Sequence, residues 1–205
     1  MLKRFAFRTI ALLAGLLPLA WQYAIARRVS DLYYLFDRRA REAVYANLRV
    51  MLGENASAEM LRREAHWVFK YFGMYLCEFF GHERFRGRFI DDNVIVKGRE
   101  NLDAGLARGR GVIYCSAHFS NWELGAMVVA HLGYPITIVA QMHNDPDVNA
   151  LFIKQRADSN IVVVPTRHGA KGTLRALREN RSVALMGDRP PGGPVIPVKL
   201  FGRTA

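Results

Sequence analysis

A chain of 205 residues with a net charge of +11 is long enough for one α/β domain with a buried core and too short for two full-sized domains. Its apolar share of 51% excludes a disordered chain, and its positive charge predicts an anionic partner such as phospholipid headgroups, nucleic acid or an acidic protein. The two cysteines, Cys77 and Cys115, lie inside apolar patterns, which supports neither a disulfide scaffold nor a zinc-ligand spacing and favours a reducing compartment.

Near the N-terminus lies an apolar stretch of seventeen residues, Ile10 to Ala26, whose one strongly polar side chain is Gln22. It is at the short limit for a helix that spans a bilayer, which takes about 20 residues. A cleaved signal peptide and a buried core helix stay open as alternatives, although a helical pattern follows Arg27 and Arg28 directly and leaves no polar cleavage region. Basic residues on both sides favour a membrane anchor in residues 1–28, either spanning or lying in the interface, with its orientation open.

Residues 29–92 are predicted to form an amphipathic helical region. The pattern predicts one helix over Asp31–Leu52 and a second over Ala58–Phe80, with Ser57 as the N-cap of the second. The apolar face of the second helix consists of Leu61, Ala65, Val68, Phe72, Leu76 and Phe79, broadened by Phe69, Tyr71, Tyr75 and Phe80. Core packing is the favoured interpretation of this face, and an acyl-chain channel or contact with lipid stays open.

From residue 93 to residue 205, short β-rich runs alternate with helical patterns. The predicted strands are Asn93–Val96, Val112–Cys115, Ile136–Ala140, Ile161–Val164 and Val183–Met186. The predicted helices are Leu102–Ala107, Asn121–Leu132, Val148–Ala157 and Ala170–Glu179. Because the strands lack a polar face, the alternation predicts an α/β fold with a mostly parallel sheet flanked by helices, preceded by the apolar anchor and the helical segment.

Two predicted strand ends carry reactive side chains, His118 after one and Asp188 after another. The carboxyl ends of parallel strands meet at one edge of a sheet, where ligands bind, so both residues are expected there. A neutral imidazole can take the proton of a hydroxyl that attacks a thioester, provided that another group fixes its tautomer. Glu123, on the first turn of the next helix, and Asp188 are both candidates for that acid. Amides near Ser120 and Asn121 could stabilise an oxyanion.

Plainer interpretations of these residues stay open. A histidine and an acid five positions apart occur by chance, and such a pair can simply cap a helix. A metal site is less favoured, because Cys115 precedes His118 by three positions but no second pair at ligand spacing completes it. Gly109-Arg110-Gly111 begins like a dinucleotide-binding fingerprint, but the run enters a strand instead of leaving one, which argues against a nucleotide-dependent enzyme.

The run from Gly111 to Glu123, GVIYCSAHFSNWE, resembles the signature block of the bacterial lipid A late acyltransferase family, the lauroyl and myristoyl transferases. Mycobacterial phosphatidylinositol mannoside acyltransferases belong to the same wider group. Gly187-Asp188-Arg189, followed by Pro194–Arg203, resembles the family's acidic strand end and the next strand, which ends in Phe-Gly. Family members continue past that segment, so a C-terminally truncated sheet is expected here.

The resemblance implies an acyltransferase that moves a fatty acyl group from acyl carrier protein or coenzyme A to a hydroxyl of a lipid A precursor or a related membrane lipid, without a cofactor or a metal. It implies His118 as general base, Glu123 as its acidic partner and Asp188 as an acid close to the histidine. Substrate-binding candidates are Asn121, Arg156, Arg189 and, more weakly, Arg167. For Arg156 a solvated surface arginine is an equal alternative.

The same resemblance implies a location at the bacterial inner membrane, with the catalytic domain on the cytoplasmic side. Lysophospholipids and ornithine-type lipids are alternative acceptors. A non-catalytic basic module that binds a membrane or nucleic acid is the alternative of another class. Basic residues spread along the chain and carry no RNA-binding or helix-turn-helix signature, which argues against nucleic acid.

Overall fold

The computed structural model describes residues 17–53, 55–189 and 196–204. These residues fall into two compact units, one made of 17–53, 55–81 and 196–204, the other of 82–189. Residues 1–16 of the predicted anchor lie outside the described residues. Within the described part of the chain, no helix is both long enough and apolar enough to cross a membrane.

The first unit contains the helices α1 (Leu19–Phe36), α2 (Arg38–Leu52) and α3 (Ala58–Phe80). Asp37 separates α1 from α2, because its side chain accepts a hydrogen bond from Ala40 N at 2.8 Å and caps the second helix. The predicted helix start at Asp31 is therefore wrong. A single helix continues through that position until the Asp37 carboxylate competes for backbone amides.

Helix α3 has the predicted bounds, and Ser57 Oγ accepts a hydrogen bond from Met60 N at 3.1 Å as its N-cap. The core of this unit is a cluster of buried residues from all three helices, Tyr34, Leu48, Leu61, Ala65 and Phe69. Val68 and Phe72 are exposed, so their predicted place on the buried face is wrong. In the first half of α3 the buried residues follow spacings of four from Leu61, and Phe79 is buried near its end, since α3 packs on both α1 and α2.

A short hairpin lies in residues 196–204 of the same unit. Lys199–Leu200 pairs antiparallel with Arg203–Thr204, and Phe201 and Gly202 form the turn with φ values of 50° and 76°. Positive φ at both central residues is typical of the tight turns that match strand twist. Within the described part of the predicted strand Pro194–Arg203, the residues that form strand are Lys199, Leu200 and Arg203. Residues 194 and 195 lie outside the described part.

The second unit contains one parallel sheet, as predicted. Its strands are β1 (Val112–Ser116), β2 (Ile136–Ala140), β3 (Ile161–Pro165) and β4 (Ser182–Met186), in the order β1-β4-β2-β3. The flanking helices are α4 (Arg88–Asn93), α5 (Arg99–Leu106), α6 (Trp122–His131), α7 (Pro146–Asp158) and α8 (Gly169–Arg178), with 3-10 turns at His82–Phe85 and Thr166–His168. Met127 of α6 packs with Ile136 and Ile161, the first residues of β2 and β3, and these apolar residues form a buried core cluster of this unit.

The predicted strand Asn93–Val96 is wrong. Asn93 ends α4, and its side-chain amide donates a hydrogen bond to Phe89 O at 3.0 Å. The apolar residues that follow do not pair with a strand, and Ile95 is 87% exposed. A β-rich run becomes a strand only where a neighbouring strand completes its hydrogen bonds and a layer covers its side chains.

Candidate active site

The register of β1 and β4 brings two predicted site residues together. The strands are parallel neighbours whose last paired residues are Ser116 and Met186. Gly187 N extends the ladder by donating a hydrogen bond to Ser116 O at 2.9 Å. His118 and Asp188 each follow a last paired residue by two positions, so the sheet itself places them side by side at its carboxyl edge.

His118 and Asp188 form a hydrogen-bonded pair. Nδ1 of His118 lies 2.9 Å from Oδ1 of Asp188, with the two side chains 24% and 26% exposed. The imidazole also contacts the indole of Trp122, with ring centroids 5.0 Å apart and ring planes at 78°. The histidine ring is therefore held from two directions while it stays accessible to a substrate.

The charge on Asp188 decides the tautomer of His118. Burial raises the pKa of the Asp188 carboxyl, but the hydrogen bond from His118 and those from the backbone amides of His118 and Asp188 lower it more, so the net pKa lies below its usual value. An ionised carboxylate only accepts hydrogen bonds, so Nδ1 of His118 carries the proton and donates it. In the neutral ring, Nε2 then holds the lone pair.

A tight turn links β1 to α6. Phe119 N donates a hydrogen bond to Ala117 O at 2.9 Å, and Ser120 has a φ of 53°. A positive φ is uncommon for a serine, and such strained residues cluster at functional sites. Asn121 Oδ1 then accepts a hydrogen bond from Leu124 N at 2.9 Å and caps α6. Helix α6 thus begins at Trp122, four residues after His118.

Glu123 and Arg156 form a second pair, between α6 and α7. Nη2 of Arg156 donates to Oε1 of Glu123 at 2.6 Å, and Nε donates to Oε2 at 3.2 Å. The two side chains are 10% and 11% exposed, and the guanidinium also lies over the Phe152 ring, 5.4 Å from its centroid. Arg156 is therefore not a solvated surface arginine. The two predicted acids have different partners, with Asp188 on His118 and Glu123 on Arg156.

Two other predicted site residues, Arg189 and Arg167, follow the carboxyl ends of β4 and β3. Arg189 directly follows Asp188 and is exposed. Arg167, in the turn after β3, donates through Nε to His168 Nε2 at 3.2 Å. The residue that sequence reasoning missed is Trp122. Its position four residues after His118, at the start of a helix, was the signal that the two rings could meet.

Comparison with known protein families assigns the chain to a family. The sequence profile described as bacterial lipid A biosynthesis acyltransferase matches residues 2–205. The chain belongs to this family. The family membership that the sequence predicts is thereby confirmed.

Two curated relatives are similar to about half of this chain. The chain is 29% identical over 112 residues to a phosphatidylinositol mannoside acyltransferase of Mycobacterium tuberculosis, a match that covers 53% of this chain and 35% of that protein. It is 28% identical over 108 residues to the enzyme of the same name from Mycolicibacterium smegmatis, covering 50% of this chain and 35% of that one. The match thus spans about a third of the length of these relatives.

Proposed function

We propose that this acyltransferase moves a fatty acyl group from the thioester of acyl carrier protein or coenzyme A to a hydroxyl of a lipid A precursor or a related membrane glycolipid. The observation that carries the proposal is the contact of 2.9 Å between His118 Nδ1 and Asp188 Oδ1 at the carboxyl edge of the sheet. This contact leaves Nε2 of an accessible imidazole as the general base.

The proposed step transfers one proton twice. Nε2 of His118 takes the proton of the acceptor hydroxyl as its oxygen attacks the thioester carbonyl, and Asp188 stabilises the imidazolium. The tetrahedral intermediate collapses, the carbon–sulfur bond breaks, and the imidazolium returns the proton to the leaving thiolate. The products are an ester and a free thiol. Backbone amides at the start of α6, four residues after His118, are proposed to hold the oxyanion.

Glu123 is proposed to act through Arg156. Its carboxylate accepts two hydrogen bonds from the guanidinium, which hold both side chains and link α6 to α7. Because α6 also carries Trp122, this ion pair supports the ring that contacts His118. Asn121, Arg156 and Arg189 stay proposed contacts for the acceptor. A bidentate guanidinium is a good partner for phosphate, but here Glu123 already occupies two of its donors.

The donor, acceptor and location are supported by charge and by the relatives. A net charge of +11 would attract an acidic donor such as acyl carrier protein and an anionic membrane surface. The names of the mycobacterial relatives favour a glycosylated lipid as acceptor over a simple lysophospholipid. We place the protein at the bacterial inner membrane with the α/β unit on the cytoplasmic side, where acyl carrier protein resides.

Acyl transfer from labelled acyl carrier protein and coenzyme A thioesters to a panel of lipid acceptors tests the proposal. His118→Gln is expected to lower kcat about 10²- to 10⁴-fold. The matched control is His131→Gln, since His131 is a histidine of the same unit that pairs with Asp91 on its surface. Full activity of the His118 variant would contradict the role of the base. Preference for lysophospholipids over glycolipids would replace the acceptor, and salt-sensitive binding of oligonucleotides without turnover would favour a binding module.

A further inference from the structure

Helix α8 exposes three basic side chains around one apolar side chain. Lys171, Arg175 and Arg178 are exposed, and Leu174 between them is 56% exposed. At 3.6 residues per turn these four positions fall within about 100° of the helix circumference. The helix contains no acidic residue. We call these four side chains the α8 surface.

The α8 surface points away from the sheet. On the other side of the helix, Gly172 approaches the side chain of Val164 so closely that an added Cβ would overlap it, and Ala176 is buried. These two small residues bring α8 close to the strands. The centre of the α8 surface lies about 130° around the helix from them. Within this unit the α8 surface is therefore turned to solvent.

The α8 surface lies in the segment that gives the second unit its positive charge. Residues 82–189 contain 15 basic and 11 acidic residues, and five of the basic and one of the acidic residues lie in 166–181, which leaves ten of each elsewhere. The acidic one, Glu179, pairs with Arg175 at 2.8 Å in an exposed ion pair, which is weak in water. Among the described residues, Lys171 and Arg178 have no carboxylate partner. Their charges are available to an anionic partner.

The α8 surface begins near the sheet edge that carries His118. Helix α8 follows β3 through the turn Thr166–His168, and the carboxyl end of β3 lies at the same edge as those of the parallel strands β1 and β4. Arg167 in that turn is exposed and extends the positive charge to this edge. A helix of ten residues is about 15 Å long, so the whole surface lies within about that distance of the edge.

We propose that the α8 surface docks acyl carrier protein, and this inference rests on the proposed function, in which that acidic protein is the donor. Lys171, Arg175 and Arg178 pair with carboxylates of the carrier, and Leu174 makes an apolar contact between them. Such an arrangement, with an apolar centre and a charged rim, is typical of protein interfaces that are steered by complementary charge. The carrier holds its thioester on a flexible arm, so its body docks beside the reacting atoms while the arm reaches them.

Other anionic partners fit the α8 surface less well. It offers a membrane one apolar side chain and no aromatic one, whereas a helix that lies in a membrane buries a whole apolar side. The phosphates of coenzyme A need a concave site, but these three cations are spread over two turns of an exposed helix. A second copy of the chain would bring like charges together.

Charge reversal in the full chain tests the docking surface. Lys171→Glu/Arg175→Glu is expected to raise the Kd for holo-acyl carrier protein about tenfold or more, measured by surface plasmon resonance. With palmitoyl thioesters of both donors, the ratio of kcat/KM for the carrier thioester to kcat/KM for the coenzyme A thioester is expected to fall by a similar factor. Circular dichroism checks that the variant is folded.

The matched control is Lys97→Glu/Arg108→Glu, which makes the same change in net charge at two exposed residues of the same unit. They flank α5, which contacts Val112 of β1, whereas α8 contacts Val164 of β3. The register of the strands points these two valines to opposite faces of the sheet. The control is therefore expected to bind the carrier like wild type.

A second experiment tests direct contact. Acidic surface residues of the carrier are changed to lysine one at a time, and at least one such carrier is expected to bind Lys171→Glu/Arg175→Glu more tightly than the unchanged carrier does. If none restored binding, the direct contact would be rejected. Wild-type affinity of Lys171→Glu/Arg175→Glu for the unchanged carrier, or an equal loss in the control variant, would also overturn the proposal.

The remaining outcomes separate the partners and the two proposals. An equal fall in kcat/KM with both donors would overturn carrier docking in favour of a site for the part that the donors share. Loss of binding to phosphatidylglycerol vesicles, with carrier binding retained, would assign the surface to lipid. Acyl transfer from coenzyme A by a wild-type protein that does not bind the carrier would reject the docking surface and keep the proposed chemistry. Carrier binding that depends on the α8 surface, without acyl transfer from either donor, would reject the proposed chemistry alone.

Discussion

Glu123 and Arg156 form an ion pair with two hydrogen bonds, of 2.6 and 3.2 Å, at side chains that are 10% and 11% exposed. Removal of one partner leaves an uncompensated charge in a desolvated place. We therefore expect Glu123→Ala and Arg156→Ala each to lower the free energy of unfolding by about 3–5 kcal/mol. Urea denaturation followed by circular dichroism measures the change.

The double variant tests whether these losses belong to the pair. Glu123→Leu/Arg156→Met replaces both charges by apolar side chains of similar volume, and such exchanges are often neutral. It is expected to be more stable than either single alanine variant. If the loss in Glu123→Ala/Arg156→Ala equalled the sum of the two single losses, the coupling would be absent and the ion pair would not explain the effect.

The pair of His118 and Asp188 leads to a second prediction, on turnover. Asp188→Asn replaces an acceptor-only carboxylate with an amide that can donate to Nδ1, so the proton can move to Nε2 and block the base. We expect kcat to fall about 10²-fold or more with little change in KM. Glu179→Gln, an equal change at an exposed acid that pairs with Arg175, is the control and is expected to be fully active. An active Asp188→Asn protein would mean that another group orients the histidine.

The same pair contributes to stability in a defined pH range. The pKa of Asp188 is lower in the folded protein than its usual value, so its contribution is present above the usual pKa of about 3.9 and is lost as the pH falls through the lower folded value. Acid unfolding of wild type and of Asp188→Asn should therefore converge at low pH. A constant stability difference down to the acid limit would contradict this linkage.

The sequence was sufficient for the sheet edge but not for the pairing. Apolar runs predicted β1 and β4, and parallel strand ends predicted that His118 and Asp188 share an edge. The sequence does not tell which acid binds the histidine, because Glu123 is close to His118 in the chain and Asp188 is predicted at the same sheet edge. The structure shows that Arg156, which lies 33 positions after Glu123 in the chain, binds that carboxylate instead. Spacing within one element does not predict such long-range contacts.

The errors in the fold have similar physical causes. The helix predicted over Asp31–Leu52 is divided between α1 and α2, because a local apolar pattern does not show where a carboxylate such as that of Asp37 will interrupt a helix. Val68 and Phe72 fit the helical spacing as well as Phe69 does. The positions of α1 and α2 determine which of these residues are buried. Periodicity predicts that a helix is amphipathic, but its packing neighbours decide which residues are buried.

His82 gives a prediction about pH. Both of its ring nitrogens are buried and, among the described residues, lack a hydrogen-bond partner, while Asp158 Oδ2 lies 4.0 Å from Nε2. Burial lowers the pKa of His82, although Glu83 and Asp158 oppose the shift and Arg86 and Lys154 favour it. The unfolded chain therefore binds the proton more readily. The free energy of unfolding should fall as pH drops from about 6.5 toward the folded pKa, by at most about 1.4 kcal/mol per pH unit.

Substitution isolates this dependence. His82→Leu removes the titrating ring, so the unfolding free energy of the variant should depend less on pH between about 6.5 and the lower folded pKa. His168→Leu removes an exposed histidine of the same unit and should keep the wild-type slope. Urea titrations at several pH values measure all three proteins. Equal slopes for wild type and His82→Leu would show that His82 is not the group responsible.

The contact between α1 and α3 gives the last prediction. Gly73 of α3 faces α1 so closely that an added Cβ would overlap Ser30 Oγ and lie 3.2 Å from the Ala26 carbonyl oxygen. Gly73→Ala is therefore expected to lower the free energy of unfolding by about 1–3 kcal/mol, despite the better helix propensity of alanine. Ser30→Ala/Gly73→Ala should recover most of this loss. Gly125→Ala, inside α6 with nothing within 4 Å of the added Cβ, is the control and should be stabilised by about 0.5–1 kcal/mol. Equal effects at both glycines would mean that helix propensity alone governs these sites and that α1 does not approach α3 at Gly73.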